Sequence, residues 1–102
     1  METTQAAEKK IVLIVEDDDI TRKLLTIEFK RRGHMVIEYG DAATALAAIQ
    51  REKPPVDAAV VDLMNIGYGG NLGDFMRKFP EYRDTKIIFT LLLRNNSSTA
   101  KS

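Results

Sequence analysis

Ile11, Val12, Leu13, Ile14 and Val15 form an unbroken apolar run, rich in β-branched side chains, that stops abruptly at Glu16-Asp17-Asp18-Asp19. The run is too short for a buried helix. Without polar alternation it suits a strand covered on both faces, as in the middle of a parallel sheet. A second such run, Ala58-Ala59-Val60-Val61, ends in Asp62. Strands buried on both faces need helical layers above and below them, which points to the α/β class.

The rest of the chain supplies those layers. After the first acids, Ile20, Leu24 and Ile27 make one helical stripe and Leu25 and Phe29 a second beside it, with Gly33 predicted to end the helix. Met35 to Tyr39 alternates like an outer strand, and Gly40-Asp41 gives a turn and an N-cap. The helix that follows shows Ala42, Ala45, Leu46 and Ile49 on one face and is closed by Pro54-Pro55. Beyond Asp62 comes a glycine-rich loop, Gly67-Tyr68-Gly69-Gly70, then Asn71 as a predicted cap. Leu72, Phe75, Met76 and Phe79 follow at helical spacing, with Pro80 just past them. Residues 87–92 read as a fourth strand, and Ser97 is placed to start one more short helix.

The order β-α-β-α-β-α-β, without internal repeats or low-complexity segments, predicts an open parallel sheet with helices on both faces. In such sheets ligands bind where the carboxyl ends of the strands share a rim. Residues 1–8 are small and polar with no apolar period, so they are expected to be a mobile tail, leaving 9–102 as a single domain.

Composition removes several functions. The 102 residues carry 15 Lys+Arg against 15 Asp+Glu, so nothing favours a nucleic-acid backbone or an anionic membrane as partner. The absence of cysteine excludes disulfide scaffolds, thiolate nucleophiles and Cys-based zinc sites. The single histidine, His34, follows Gly33 in a predicted turn and reads as a solvated side chain. The apolar runs fall far short of the roughly 20 residues of a membrane helix, and Met1-Glu2-Thr3-Thr4 lacks a positively charged leader start. A cytoplasmic protein is expected.

The acids remain to be explained. Asp18 and Asp19 have an ordinary role as helix-start residues that complement the dipole. Asp62 is different, because a carboxylate ending an apolar strand is costly to desolvate without a partner. If the first and third strands are neighbours, about 4.8 Å apart, then Glu16, Asp17 and Asp62 converge at one rim. Three converging negative charges repel unless a cation joins them. Carboxylate oxygens, a loop carbonyl such as that of Met64, and retained waters suit Mg2+. With such a cation screening an incoming phosphoryl group, Asp62 is positioned to act as a carboxylate nucleophile and form an acyl phosphate.

From Lys9 to Ser102 the chain resembles the receiver domain of bacterial two-component response regulators. The resemblance is carried by Ile11-Val12-Leu13-Ile14-Val15-Glu16-Asp17-Asp18 with Arg22 and Leu25, and by Val60-Val61-Asp62-Leu63-Met64-Asn65-Ile66-Gly67-Tyr68-Gly69-Gly70. The second segment is similar to the family's D-L-x-M-P-G-M-D-G loop, with Ile66 at the usual proline and Gly69 at the usual aspartate. The resemblance implies a flavodoxin-like fold with Asp62 as phosphoacceptor, Asp17 as a direct Mg2+ ligand and Glu16 as a ligand through water. Asp62 itself and the Met64 backbone carbonyl complete the implied metal set. The implied donor is a phosphohistidine on a sensor histidine kinase or a histidine phosphotransfer protein, and the domain is a switch, not an enzyme.

Departures from the pattern are equally specific. The family's phosphoryl-binding Thr or Ser aligns with Leu91, leaving Thr90 as the candidate one place early, where a one-residue offset turns a strand side chain to the other face. The family's G-A-x-x-Y-L-x-K-P segment, with its fifth strand, lysine and last helix, has no counterpart in the sequence. No residue is assigned as that lysine, since Arg94 and Lys101 read as solvated loop charges. A receiver lacking its last β-α unit leaves the fourth strand as an apolar edge and Ile20 and Ile27 without cover. Self-association, strand exchange or low stability is therefore expected.

Two other patterns compete. Gly67-Tyr68-Gly69-Gly70-Asn71-Leu72 has Leu where a dinucleotide fingerprint needs its third glycine, so turn chemistry accounts for it better. Asp17-Asp18-Asp19-Ile20-Thr21 fits the D-x-D-x-T pattern resembling haloacid-dehalogenase-type phosphatases, in which Asp17 would be the nucleophile of a small Mg2+-dependent phosphatase. A further alternative is a degenerate receiver that binds partners without phosphorylation. A phosphoryl group added to Asp62 would bring a charge of about −1.5 to −2 to bias residues 90–96.

Overall fold

In the computed structural model, residues 9–62 and 69–90 are described. Their order is β1 (Ile11–Val15), α1 (Asp19–Arg31), β2 (Met35–Tyr39), α2 (Ala42–Glu52), β3 (Ala58–Asp62), α3 (Gly69–Arg77) and β4 (Lys86–Thr90). All pairings are parallel, in the order β2-β1-β3-β4. The two unbroken apolar runs are the two inner strands, as their covered character requires.

Alternate side chains of those strands feed two cores. On one face Leu13, Val15, Ala59 and Val61 pack with Ala42, Ala45 and Ile49 of α2 and with Leu72 and Met76 of α3. On the other, Val12, Ile14 and Val60 pack with Leu25 and Phe29 of α1. Helices thus lie on both faces of the four-stranded parallel sheet, a flavodoxin-like architecture. The second stripe of α1 meets the sheet, whereas Ile20, Leu24 and Ile27 are 72%, 61% and 49% exposed.

Local chemistry fixes where these elements start and stop. Asp18 caps α1, accepting from the Thr21 N–H at 2.8 Å, and Gly33 takes a left-handed φ of 92° just beyond its end. Asp41 caps α2 through the Thr44 N–H at 2.7 Å. At the other end of α2, Lys53 adopts φ 44°, a conformation usually left to glycine, immediately before Pro54-Pro55 prevents further helix.

The third helix departs from expectation. It starts at Gly69, so Asn71 lies inside the helix and does not cap it. Leu72 and Met76, one turn apart and fully buried, anchor the helix, and the preceding glycines form its first turn. The helix ends at Arg77, leaving Phe79 in the following turn though still against the core. A 3-10 turn over Pro80–Tyr82, absent from the sequence reading, buries Tyr82 completely. β4 begins one residue earlier than expected, at Lys86. The expected tail at 1–8, the strand extension at 91–92 and the short helix from Ser97 fall outside the described residues.

Candidate metal centre

Because β1 and β3 are neighbours and Val15 pairs with Val61, Glu16 and Asp62 leave the same end of the sheet side by side. Glu16 is 1% exposed and Asp62 is fully buried, while Asp17 faces solvent. One carboxylate oxygen from each of the three lies within 4.8 Å of the others. The convergence expected from strand adjacency is therefore present.

The peptide that carries two of these acids is held on every side. The Glu16 N–H donates to the Tyr39 carbonyl of β2 at 3.2 Å, and the Glu16 carbonyl accepts from Arg22 Nη1 at 2.8 Å. The Glu16 carboxylate, through Oε2, accepts from the Asp18 N–H at 2.9 Å. Arg22 also donates through Nη2 to Asp19 Oδ1 at 2.6 Å and lies 3.3 Å from Glu38 Oε1 through Nε. The Asp19 hydrogen bond, with the charges of Asp19 and Glu38 beside it, pushes the Arg22 guanidinium further above its already high range. In the sequence Arg22 stands out only as part of a pattern. Its spacing of three from Asp19 on a helix was the available signal for the pair.

Thr90 stands directly opposite Asp62 across β3 and β4, so both side chains leave the same face of the sheet, and the one-residue offset expected to turn Thr90 away does not do so. Its Oγ1 lies 3.5 Å from the Val61 carbonyl. Met64, proposed to lend a backbone carbonyl, lies outside the described residues, as do Leu91, Arg94 and Lys101. His34 is half-buried in the turn before β2 and accepts the Lys10 N–H through Nδ1 at 3.1 Å, which gives it a structural role.

The donor set fits Mg2+. It consists of hard carboxylate oxygens that lie within 4.8 Å of one another, the donor type this small divalent cation takes. Two buried carboxylates fix the inner side and an exposed one leaves room for retained waters.

No protein-family model matches the chain, and no curated protein does. Solved structures do. A chemotaxis response regulator, CheY4 of Vibrio cholerae, superposes with a TM-score of 0.71 at 24% identity, over 80% of this chain and 68% of that one. A Francisella response regulator receiver domain gives 0.68 at 22% identity, over 91% and 74%. A sensor protein from Polaromonas gives 0.69 at 26% identity, over 90% and 73%.

Proposed function

We propose that this chain, whose fold is that of the response-regulator receiver domain, is a phosphoacceptor module of a two-component phosphorelay, with Asp62 as the acceptor. The observation that carries this reading is the convergence of Glu16, Asp17 and Asp62 at the carboxyl rim of the sheet. Asp17, Asp62 and Glu16, the last through water, would hold Mg2+, with the Met64 carbonyl as a further ligand. When bound, Mg2+ supplies charge neutralisation between the carboxylates and the incoming phosphoryl oxygens.

The chain's own part is positional. Asp62 presents a carboxylate oxygen to the phosphorus of a phosphohistidine on a sensor histidine kinase or histidine phosphotransfer protein. The new P–O bond forms as the P–N bond breaks, the electron pair leaves with the imidazole, and that imidazole takes up a proton. The product is an acyl phosphate on Asp62. Thr90, on the same face as Asp62, is the candidate donor to a phosphoryl oxygen. The module acts in the cytoplasm as a switch that changes partner affinity and is not itself an enzyme. Among the described residues, no helix is long and apolar enough to cross a membrane.

The test is intact-mass analysis after incubation with acetyl phosphate and Mg2+, beside Asp62→Asn and a metal-free control. A Mg2+-dependent gain of one phosphoryl group, absent in the variant, is expected. A folded protein that gains none, with rapid dephosphorylation controlled for, overturns the phosphoacceptor reading.

A second reading rests on a separate observation. Ile88 and Phe89 of β4 are each 44% exposed on the outer strand of the described sheet, and Ile20 and Leu24 of α1 are more exposed still. A strand edge of this composition favours self-association or strand exchange, which would serve a phosphorylation-independent interaction module.

A further inference from the structure

We infer that Arg22 is a positioning residue for the metal site, holding the Glu16-Asp17 peptide in register against Asp62. The inference rests on the Mg2+ reading above and adds a residue outside the proposed ligand set. Its basis is that one planar side chain joins three separate elements. Nη1 grips the main-chain carbonyl of Glu16 after β1 at 2.8 Å, Nη2 grips Asp19 in the first turn of α1 at 2.6 Å, and Nε faces Glu38 of β2 at 3.3 Å. The neighbouring turn makes space for this arrangement. A Cβ at Gly40 would lie 3.4 Å from Nη1, in van der Waals contact with the guanidinium, so a longer side chain there would crowd it.

Asp62 is placed by the pairing of β3 with its neighbours, but Glu16 and Asp17 lie just past the last paired residue of β1. Their position relative to Asp62 therefore depends on contacts outside the strand ladder. The Tyr39 carbonyl secures the Glu16 N–H, and Arg22 secures the opposite side of the same residue. A lysine has one compact ammonium in place of the rigid fork and cannot span all three partners.

Charge alone makes the opposite prediction. A cation bonded to the Glu16 carbonyl competes with a metal ion held by the neighbouring acids, so neutralising it would tighten Mg2+ binding if Arg22 acted only through its field. Loss of positioning weakens binding instead, by the tenfold to hundredfold typical when a group supporting metal ligands is removed. The two accounts differ in sign.

The experiment is calorimetric titration of Mg2+ into the full chain and into Arg22→Gln, Arg22→Lys and Gly40→Leu, with folding verified by near-ultraviolet circular dichroism. The last variant keeps every charge and crowds the guanidinium. Weaker binding by roughly tenfold or more in all three is expected. Unchanged or tighter binding in the Arg22 variants, with the parent binding normally, overturns the inference and leaves the metal reading intact. If neither Arg22 variant folds, Gly40→Leu decides, and unchanged affinity there overturns it. A parent that binds no Mg2+ overturns the metal reading and this inference together.

Discussion

Asp62 and Thr90 are register partners on adjacent parallel strands, and the Thr90 hydroxyl donates a long hydrogen bond, 3.5 Å, to the Val61 carbonyl. Hydroxyl donors ordinarily sit at about 2.5–3.0 Å, so this contact is weak and easily exchanged for a better acceptor. Thr90→Ala is expected to change stability by less than about 0.5 kcal/mol. The same change should slow phosphoryl transfer to Asp62 roughly tenfold, the scale of a lost hydrogen bond to a charged group, while Thr90→Ser retains the rate. Thermal melts and a mass-spectrometric time course with acetyl phosphate measure both. An unaltered rate in Thr90→Ala removes the hydroxyl from the site.

Mg2+ should stabilise the fold through the acidic rim. Two of the three carboxylates are buried within reach of each other, and an ion held by the assembled cluster would favour the folded over the unfolded chain. At a free concentration about a hundredfold above Kd the gain is about 2.7 kcal/mol, read as a rise in melting temperature that chelator reverses. Asp17→Asn is expected to lose most of that rise and still to carry no phosphoryl adduct of its own. In the competing phosphatase reading Asp17 is the covalent site. An adduct that survives in Asp62→Asn but disappears in Asp17→Asn would favour it.

The inner strands were legible because burial on both faces leaves an unmistakable apolar run, and their acids were legible because nothing apolar explains Asp62. The start of α3 was not. Asn71 has the chemistry of a cap, and the burial of Leu72 and Met76 on the neighbouring core carried the helix back through two glycines that local preference assigns to a turn. Tyr82 was missed for a related reason. Its burial depends on a carbonyl 28 positions earlier, a pairing that no local period encodes. At the site, the acids are visible as residues, but the three-way grip of Arg22 exists only once β2 has been placed beside β1.

The outer face of β4 sets up a test of association. Ile88 shares a face with Val60 and Thr90 yet remains 44% exposed, as does Phe89 on the opposite face. Ile88→Lys adds a charge to the edge strand, a device that blocks edge-to-edge pairing, at a side chain already 44% exposed. Sedimentation velocity across a concentration series should show the parent associating and Ile88→Lys shifted toward monomer, with less than about 0.5 kcal/mol change in stability. Identical, concentration-independent monomers for both would rule out association through this strand.

Tyr82 links stability to alkaline pH. Its ring is fully buried, meets Phe79 edge-on at 6.3 Å between centroids, and its hydroxyl donates to the Pro54 carbonyl at 2.6 Å. Burial pushes the phenol above its usual 10.0, and the charge of Glu81 adds to the shift. Because the folded value is the higher one, the neutral phenol's contribution is complete below pH 10.0 and is lost as pH rises through the folded value. Tyr82→Phe removes the hydrogen bond and should cost about 1 kcal/mol at neutral pH. It also removes the group that must ionise, so the parent's advantage should shrink as pH rises beyond 10.0. Urea unfolding of both proteins at neutral and alkaline pH measures the gap directly. A gap that stays constant across that range would mean that the phenol does not sense pH through the fold.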